Sequence, residues 1–466
     1  MATNDTRGVK GTQALDDPRI LRQLIRLSVP AMIGLLVNTL YTMVDMLYVG
    51  KSVGALGIAA LGISLPAYVL LSAVALMIGV GGASHISRQL GGGNTREAGK
   101  SATTSLLGML LIASLITVMA AVWFPQLSSI LGETEATKPF IREYLGTLLW
   151  GAPVITMATV LNAFLRAQGR AKQAMLANII GNGINIILDP LLISSIGWGI
   201  RGAAIATIVG QLAAALYAFA FLSSPASLFS LSKHGKLFEL SVFASIVTIG
   251  FPTLVRQMGT SVVTIVVNRS LGQLGGDLEI AAYGIIGMLL MFFNMPISGV
   301  VQGLQPLVGF HFGAKRHREV GKLLRYALLI SCSVGILFLL CTIVMPSIFL
   351  RWFTSNQDLL DLAAPFTQIM MLGLPFLAML SIGTAFFQSI GKATPALVIW
   401  IARQGALLIP LILILAKIYG ARGIFFAFPI SDIISGLLVL ALVVGQLHKW
   451  NPIAVEGTAI EESPSP

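Results

Sequence analysis

The chain has 466 residues, of which 56% are hydrophobic and 11% charged, against about 25% charged in an ordinary soluble domain. That balance excludes a soluble globular enzyme and describes a polytopic membrane protein whose first partner is the lipid bilayer. In a soluble protein a net charge of +11 would point to nucleic acid. Here it is the Lys and Arg excess that membrane proteins keep on one face, so no nucleic-acid partner is expected.

Taken in chain order, apolar stretches recur near 20–48, 55–84, 98–124, 138–165, 172–195, 200–222, 239–270, 278–309, 324–347, 358–389, 394–416 and 422–447. Each is near the ~20 residues needed to cross a bilayer, which predicts an all-α fold of twelve transmembrane helices. The segment ahead of Arg19 is polar with no apolar signal core, so no cleaved leader is expected and the first span serves as the insertion signal.

Span 1 carries Asp45 in the run Pro30 to Gly50, with Tyr41, Asn38 and Gly34 placed 4, 7 and 11 residues before it. At about 100° per residue these fall on one helical face, giving a polar stripe with an acid in it. Span 5 repeats the pattern: Asn178, Asn182 and Asn185 precede Asp189 by 11, 7 and 4 residues. Pro190 follows and removes a backbone donor, which would leave a carbonyl free for an ion, water or substrate. Asn162 in span 4 and Thr207 and Gln211 in span 6 would complete one chamber. A single Asn is accounted for by interhelical hydrogen bonding, worth ~1 kcal/mol; two membrane acids on matched stripes point to function.

A polar segment, Ser223 to Lys236, separates these spans from six more. The expected organisation is an N-terminal tail (1–19), a first lobe (20–222), a linker (223–238), a second lobe (239–448) and a C-terminal tail (449–466), the last expected to be disordered around Glu456, Glu461 and Glu462. In the second lobe Asp432 is placed to pair with Arg403 or with Arg256, and the three form a candidate second polar site. Cys332 and Cys341 lie nine residues apart on one predicted helix, on opposite faces, and cannot bridge each other.

One constant offset superimposes the halves: Pro30 meets Pro252, Gly62-Ile63 meets Gly284-Ile285, Arg96-Glu97 meets Arg318-Glu319, and Pro153 meets Pro375. Six spans per half keep each half's ends on one side, so the repeats are parallel, two lobes related by an axis along the membrane normal. At the same offset Asp45 meets Val267 and Asp189 meets Leu411, which assigns ion chemistry to the first lobe. The side bearing the tails carries 20 Lys and Arg and the other side 8, so both termini are expected in the cytoplasm. The glycine runs Gly79–Gly82 and Gly91–Gly93 lack the strand and GK[ST] of a phosphate loop. His85 and His311 have no metal-ligand neighbours in sequence, so no metal or other cofactor is expected.

The segments LSVPAMIGLLVNTLYTMVDMLYVG, SRQLGGGNTREAGK, FLRAQGRAKQAM and INIILDPLLI, with the later echoes GFHFGAKRHREVGK and FQSIGKATPAL, resemble the multidrug and toxic compound extrusion (MATE) transporters over residues 20 to 448, most closely the DinF-like branch. The acid of the NorM-like branch falls at Thr260 here, which argues against that branch's cation site. The resemblance implies a monomeric exporter in the cell (inner or plasma) membrane. It would move small amphipathic, often cationic compounds by antiport with protons or sodium. Asp45 and Asp189 would couple the ion, supported by Asn38, Tyr41, Asn162, Asn185 and Thr207. A lipid or lipid-linked oligosaccharide flippase of the same architecture is the alternative. A membrane-embedded enzyme would need converging catalytic groups, which the spans do not show.

Overall fold

The computed structural model describes residues 15–231, 237–274 and 276–450. The readings made for residues 1–14, for the middle of the linker and for 451–466 lie outside these. Ten helices are long and apolar enough to cross a membrane, and two bent helix pairs complete twelve spans. In order, spans 1 to 3 are Ile20–Ser52, Ala55–Gly91 and Thr95–Ile130; span 4 is Lys138–Trp150 with Ala152–Ala167; spans 5 and 6 are Ala171–Ser195 and Gly199–Ser223. Spans 7 to 9 are Leu240–Leu274, Asp277–Gly313 and His317–Val344; span 10 is Gln357–Met371 with Leu374–Ser389; spans 11 and 12 are Ala393–Tyr419 and Ala421–His448.

Spans 4 and 10 read as continuous in the sequence, but they bend by 52° and 46°. The cause is the pair Pro153 and Pro375, each in the first two positions of its second helix, where a missing N–H and a fixed φ start a helix rather than continue one. The hydroxyl of Thr117 donates to the Leu149 carbonyl near the first bend at 2.9 Å. Side chains close over both breaks: Ile208 covers Gly151, and the Asp432 carboxylate lies against Gly373.

The apolar core shows how the lobes meet. On the side of the tails a single cluster joins Ile86 and Phe164 of the first lobe to Leu307, Phe310 and Phe386 of the second. Toward the other side it divides into a first-lobe cluster around Val49, Ile141 and Ile200 and a second-lobe cluster around Val267, Phe293 and Phe425. Backbone contacts follow the same pattern. Gly91 lies against the carbonyl of Phe310, and Gly313 against that of Arg88; these two contacts exchange under the offset that relates the halves. Gly62 and Gly284, also a matched pair, face open space. Gly62 lies 29 residues before Gly91, hence within ~20° of the same helical face. One face of span 2 therefore packs on the opposite lobe at the tail side and lines an open cleft at the other.

Candidate functional site

Spans 1 and 5 pack side by side, and a Cβ on Gly34 would lie 3.0 Å from the Asn178 amide nitrogen. At the far end the hydroxyls of Ser52 and Ser194 meet at 2.8 Å. Between these two points the stripes face inward: Tyr41, Asn182 and Asn185 are buried, Asp45 is 7% exposed and Asp189 is fully covered. Neither acid is on the lipid face, and the charge of Asp45 bears on Asp189. Asp45 Oδ1 is buried without a hydrogen-bond partner among the described residues, as is Asn182 Nδ2. An unpaired buried carboxylate oxygen is costly, and a proton or a cation satisfies it.

Asp189 is better supported. The Asn185 amide nitrogen donates to it at 3.5 Å, or at 3.3 Å with the amide turned over, an orientation in which the Asn185 oxygen accepts from the Thr207 N–H. Asp189 ends the regular α-helix, and Pro190–Ser195 runs on as a π turn, so the proline widens the helix where the sequence suggested a freed carbonyl. Such turns gather at functional sites.

The stripe extends toward the tails through span 4. Asn162 Nδ2 donates to the Asn178 side chain and to the Ala174 carbonyl, both at 2.9 Å, and its oxygen accepts from the guanidinium of Arg166. Arg166 borders the lobe interface with Gln302, Gln305 and Gln388. Asn178 and Gln211 are half-buried, and Asn38 is exposed despite its place on the stripe.

Two residues missed from the sequence belong here. Tyr68, on span 2, lies near Tyr41 and Ser72, and Tyr144, in the first half of span 4, lies near Asp45 and Tyr68. The available signal was a tyrosine within an apolar span, since a buried phenol needs a partner. A separate cavity of about 700 Å³ at the far ends of spans 3, 4 and 6, lined by Glu133, Arg142, Glu143 and Arg201, contains neither Asp45 nor Asp189. His85 meets the Ser101 hydroxyl at 2.8 Å, while His311 is buried beside Phe310.

In the second lobe Arg403 Nε donates to Asp432 Oδ1 at 2.6 Å, with the two side chains 11% and 7% exposed. This is the first of the two pairings considered above. Arg256 takes a different position: its guanidinium and that of Arg403 each lie 5.6 Å from the Trp400 ring centre. Gln404 Nε2 donates to Thr260 Oγ1 at 3.1 Å and to the Arg256 carbonyl at 3.3 Å.

The MatE family model matches residues 30–191 and again 252–414, so the two matches begin at Pro30 and Pro252, the prolines that the internal repeat superimposes. The multidrug export protein MepA of Staphylococcus aureus (strain MSSA476) is 25% identical over 427 residues, which covers 91% of this chain and 93% of the relative. MepA of Staphylococcus haemolyticus (strain JCSC1435) is 26% identical over 432 residues, with 92% and 94% covered. A solved structure described as MATE in the bent conformation superimposes with a TM-score of 0.89 at 24% identity, over 96% of this chain and 99% of that one. Two matched six-span lobes, a buried acid pair in the first of them and a family match in each half lead to one conclusion: the chain belongs to the MatE family.

Proposed function

We propose that this protein is a secondary active multidrug exporter of the plasma membrane, both termini cytoplasmic, which expels small amphipathic, often cationic compounds in exchange for protons or sodium. The observation that carries this reading is the pair Asp45 and Asp189, both buried on adjoining helices of one lobe, with one Asp45 oxygen unpartnered among the described residues. A carboxylate held inside a membrane protein faces an ion path or a partner. Entry of a proton from the open cleft neutralises Asp45 and displaces a bound cation outward. Closure of the cleft and parting of the tail-side contact then return the acids to the cytoplasm, where the proton leaves. Export by the MepA proteins, as their name states, and the Lys and Arg excess on the tail side support the direction and orientation.

The test is drug-driven proton movement in liposomes. With Asp45→Asn, addition of a lipophilic cation should no longer move protons, and with Asp189→Asn the effect should be at least tenfold reduced. Unchanged exchange in Asp45→Asn overturns the assignment. A sodium gradient applied at constant pH separates sodium coupling from proton coupling. A lipid or lipid-linked oligosaccharide flippase would instead need a cavity dominated by cations, and the acids of the first lobe disfavour it.

A further inference from the structure

We infer that the second lobe holds a binding site for an anionic group, a carboxylate or a similar oxyanion, on the same amphipathic substrates whose cationic part the first lobe receives. The observation is positional. Under the offset that carries Pro30 onto Pro252, Gly34, Asn38, Asn178 and Asn182 of the acid-bearing stripe become Arg256, Thr260, Trp400 and Gln404. The contacts carry over as well. Gly34 lies against Asn178 in the first lobe, and Arg256 lies over Trp400 in the second. One slot of the repeated fold has thus been filled twice, by an uncharged glycine and amide beside the acids in the first lobe and by a cation on an indole in the second.

The cluster has a cation more than it has acids. Asp432 is engaged by Arg403, and among the described residues no carboxylate lies within salt-bridge distance of Arg256. The Trp400 indole N–H is a second donor without an acceptor, on a residue 5% exposed. A guanidinium and an indole N–H are both donors, and together they suit an oxyanion. Gln404 holds the backbone of Arg256 and the hydroxyl of Thr260, which fixes the segment from which the guanidinium extends.

The site adjoins the open cleft. Gly250 of span 7 abuts Met77 of the first lobe. Gln257, Thr264 and Asn268 follow it at 7, 14 and 18 residues, within ~40° of that same face. Thr260 lies beside this polar row and is exposed. Arg256 lies one turn before Thr260 on the flank of this row, so a zwitterion between the lobes would turn its anionic end to that flank and its cationic end to the acids of the first lobe. The inference deepens the export reading and rests on it for the route, while the binding measurement below stands apart from transport.

Two dyes with one ring system provide the test: rhodamine 6G, a cationic ester, and rhodamine 19, its free acid, which is zwitterionic. Their dissociation constants for purified full-length protein are measured by fluorescence polarisation, and the readout is the ratio of ester to acid. Arg256→Gln should lower the relative preference for the acid about tenfold, the order expected for loss of a charge-assisted hydrogen bond. Arg256→Lys should lower it less, and Trp400→Phe should lower it severalfold. Binding of the ester reports that each variant is folded. A ratio unchanged in Arg256→Gln, or no binding of the acid to the unaltered protein, overturns the inference. Failure of proton coupling in liposomes with the dye ratio still sensitive to Arg256 would overturn the export mechanism alone.

Discussion

The amide of Asn162 donates to the side chain of Asn178 at 2.9 Å, joining spans 4 and 5 midway between the lobe interface and the acids. Its oxygen at the same time accepts from Arg166, so one amide holds together a packing contact and a partly buried cation. Asn162→Ala removes both. The expected loss is ~1 kcal/mol for the interhelical bond and a further ~1–3 kcal/mol for the guanidinium left without its acceptor. Thermal unfolding in detergent should show it as a fall in midpoint, and Asn162→Asp, which keeps an acceptor for Arg166, should lose less.

Stoichiometry has an electrical signature. Exchange of one proton for one monovalent cation moves no net charge, whereas two protons per cation move one, worth ~2.3 kcal/mol per 100 mV or about fiftyfold in the gradient attained. Two acids in one lobe predict the second case. In liposomes clamped with potassium and valinomycin, an inside-negative potential should raise accumulation of the exported cation on the outer side, and removal of either acid should abolish the dependence.

The contact of Gly91 with Phe310 and that of Gly313 with Arg88 leave no room for a side chain. Gly91→Val is expected to weaken the tail-side seal by ~1–3 kcal/mol through overpacking, and Gly313→Val to do the same because the two positions are equivalent. Spin labels at Gly62→Cys and Gly284→Cys, on the open side, should report shorter distances in both variants as the population shifts. Longer or unchanged distances would contradict a rocking motion about this seal.

Arg403 and Asp432 form a buried pair, and removal of one partner strands the other. Arg403→Leu alone should destabilise the protein by ~3–5 kcal/mol, while Arg403→Leu with Asp432→Leu should recover most of that loss. A double variant as unstable as the single one would show that Asp432 has a further task, such as supporting the break at Gly373 that its carboxylate covers.

Span number, the two-lobe duplication and the inward acids were legible from the sequence because each leaves a periodic or repeated mark. Asp45 and Asp189 declared themselves as charges in runs of apolar residues. The bends of spans 4 and 10 did not, since Pro153 and Pro375 lie within apolar stretches that read as continuous, and proline is common in straight membrane helices. Tyr68 and Tyr144 were missed because a phenol in an apolar span looks like an ordinary aromatic until its partner is seen. Asn38 fitted the stripe by angle yet is exposed, since a shared helical face says nothing about how far a neighbouring span extends over it. The choice between Arg403 and Arg256 as the partner of Asp432 needed distances, because both were open to it by sequence separation.

The seal built on Gly91 and Gly313 has a further consequence, for heredity rather than for transport. A contact that exchanges with itself under the repeat is the kind a homodimer makes, and two free six-span chains bearing it would associate in any combination. Half of a mixed population of the two halves would then join like with like, setting two lobes with the Asp45 and Asp189 pair, or two with Arg256, across one cleft. Fusion into a single polypeptide removes that lottery: every molecule receives one lobe of each kind, in fixed proportion, from one gene.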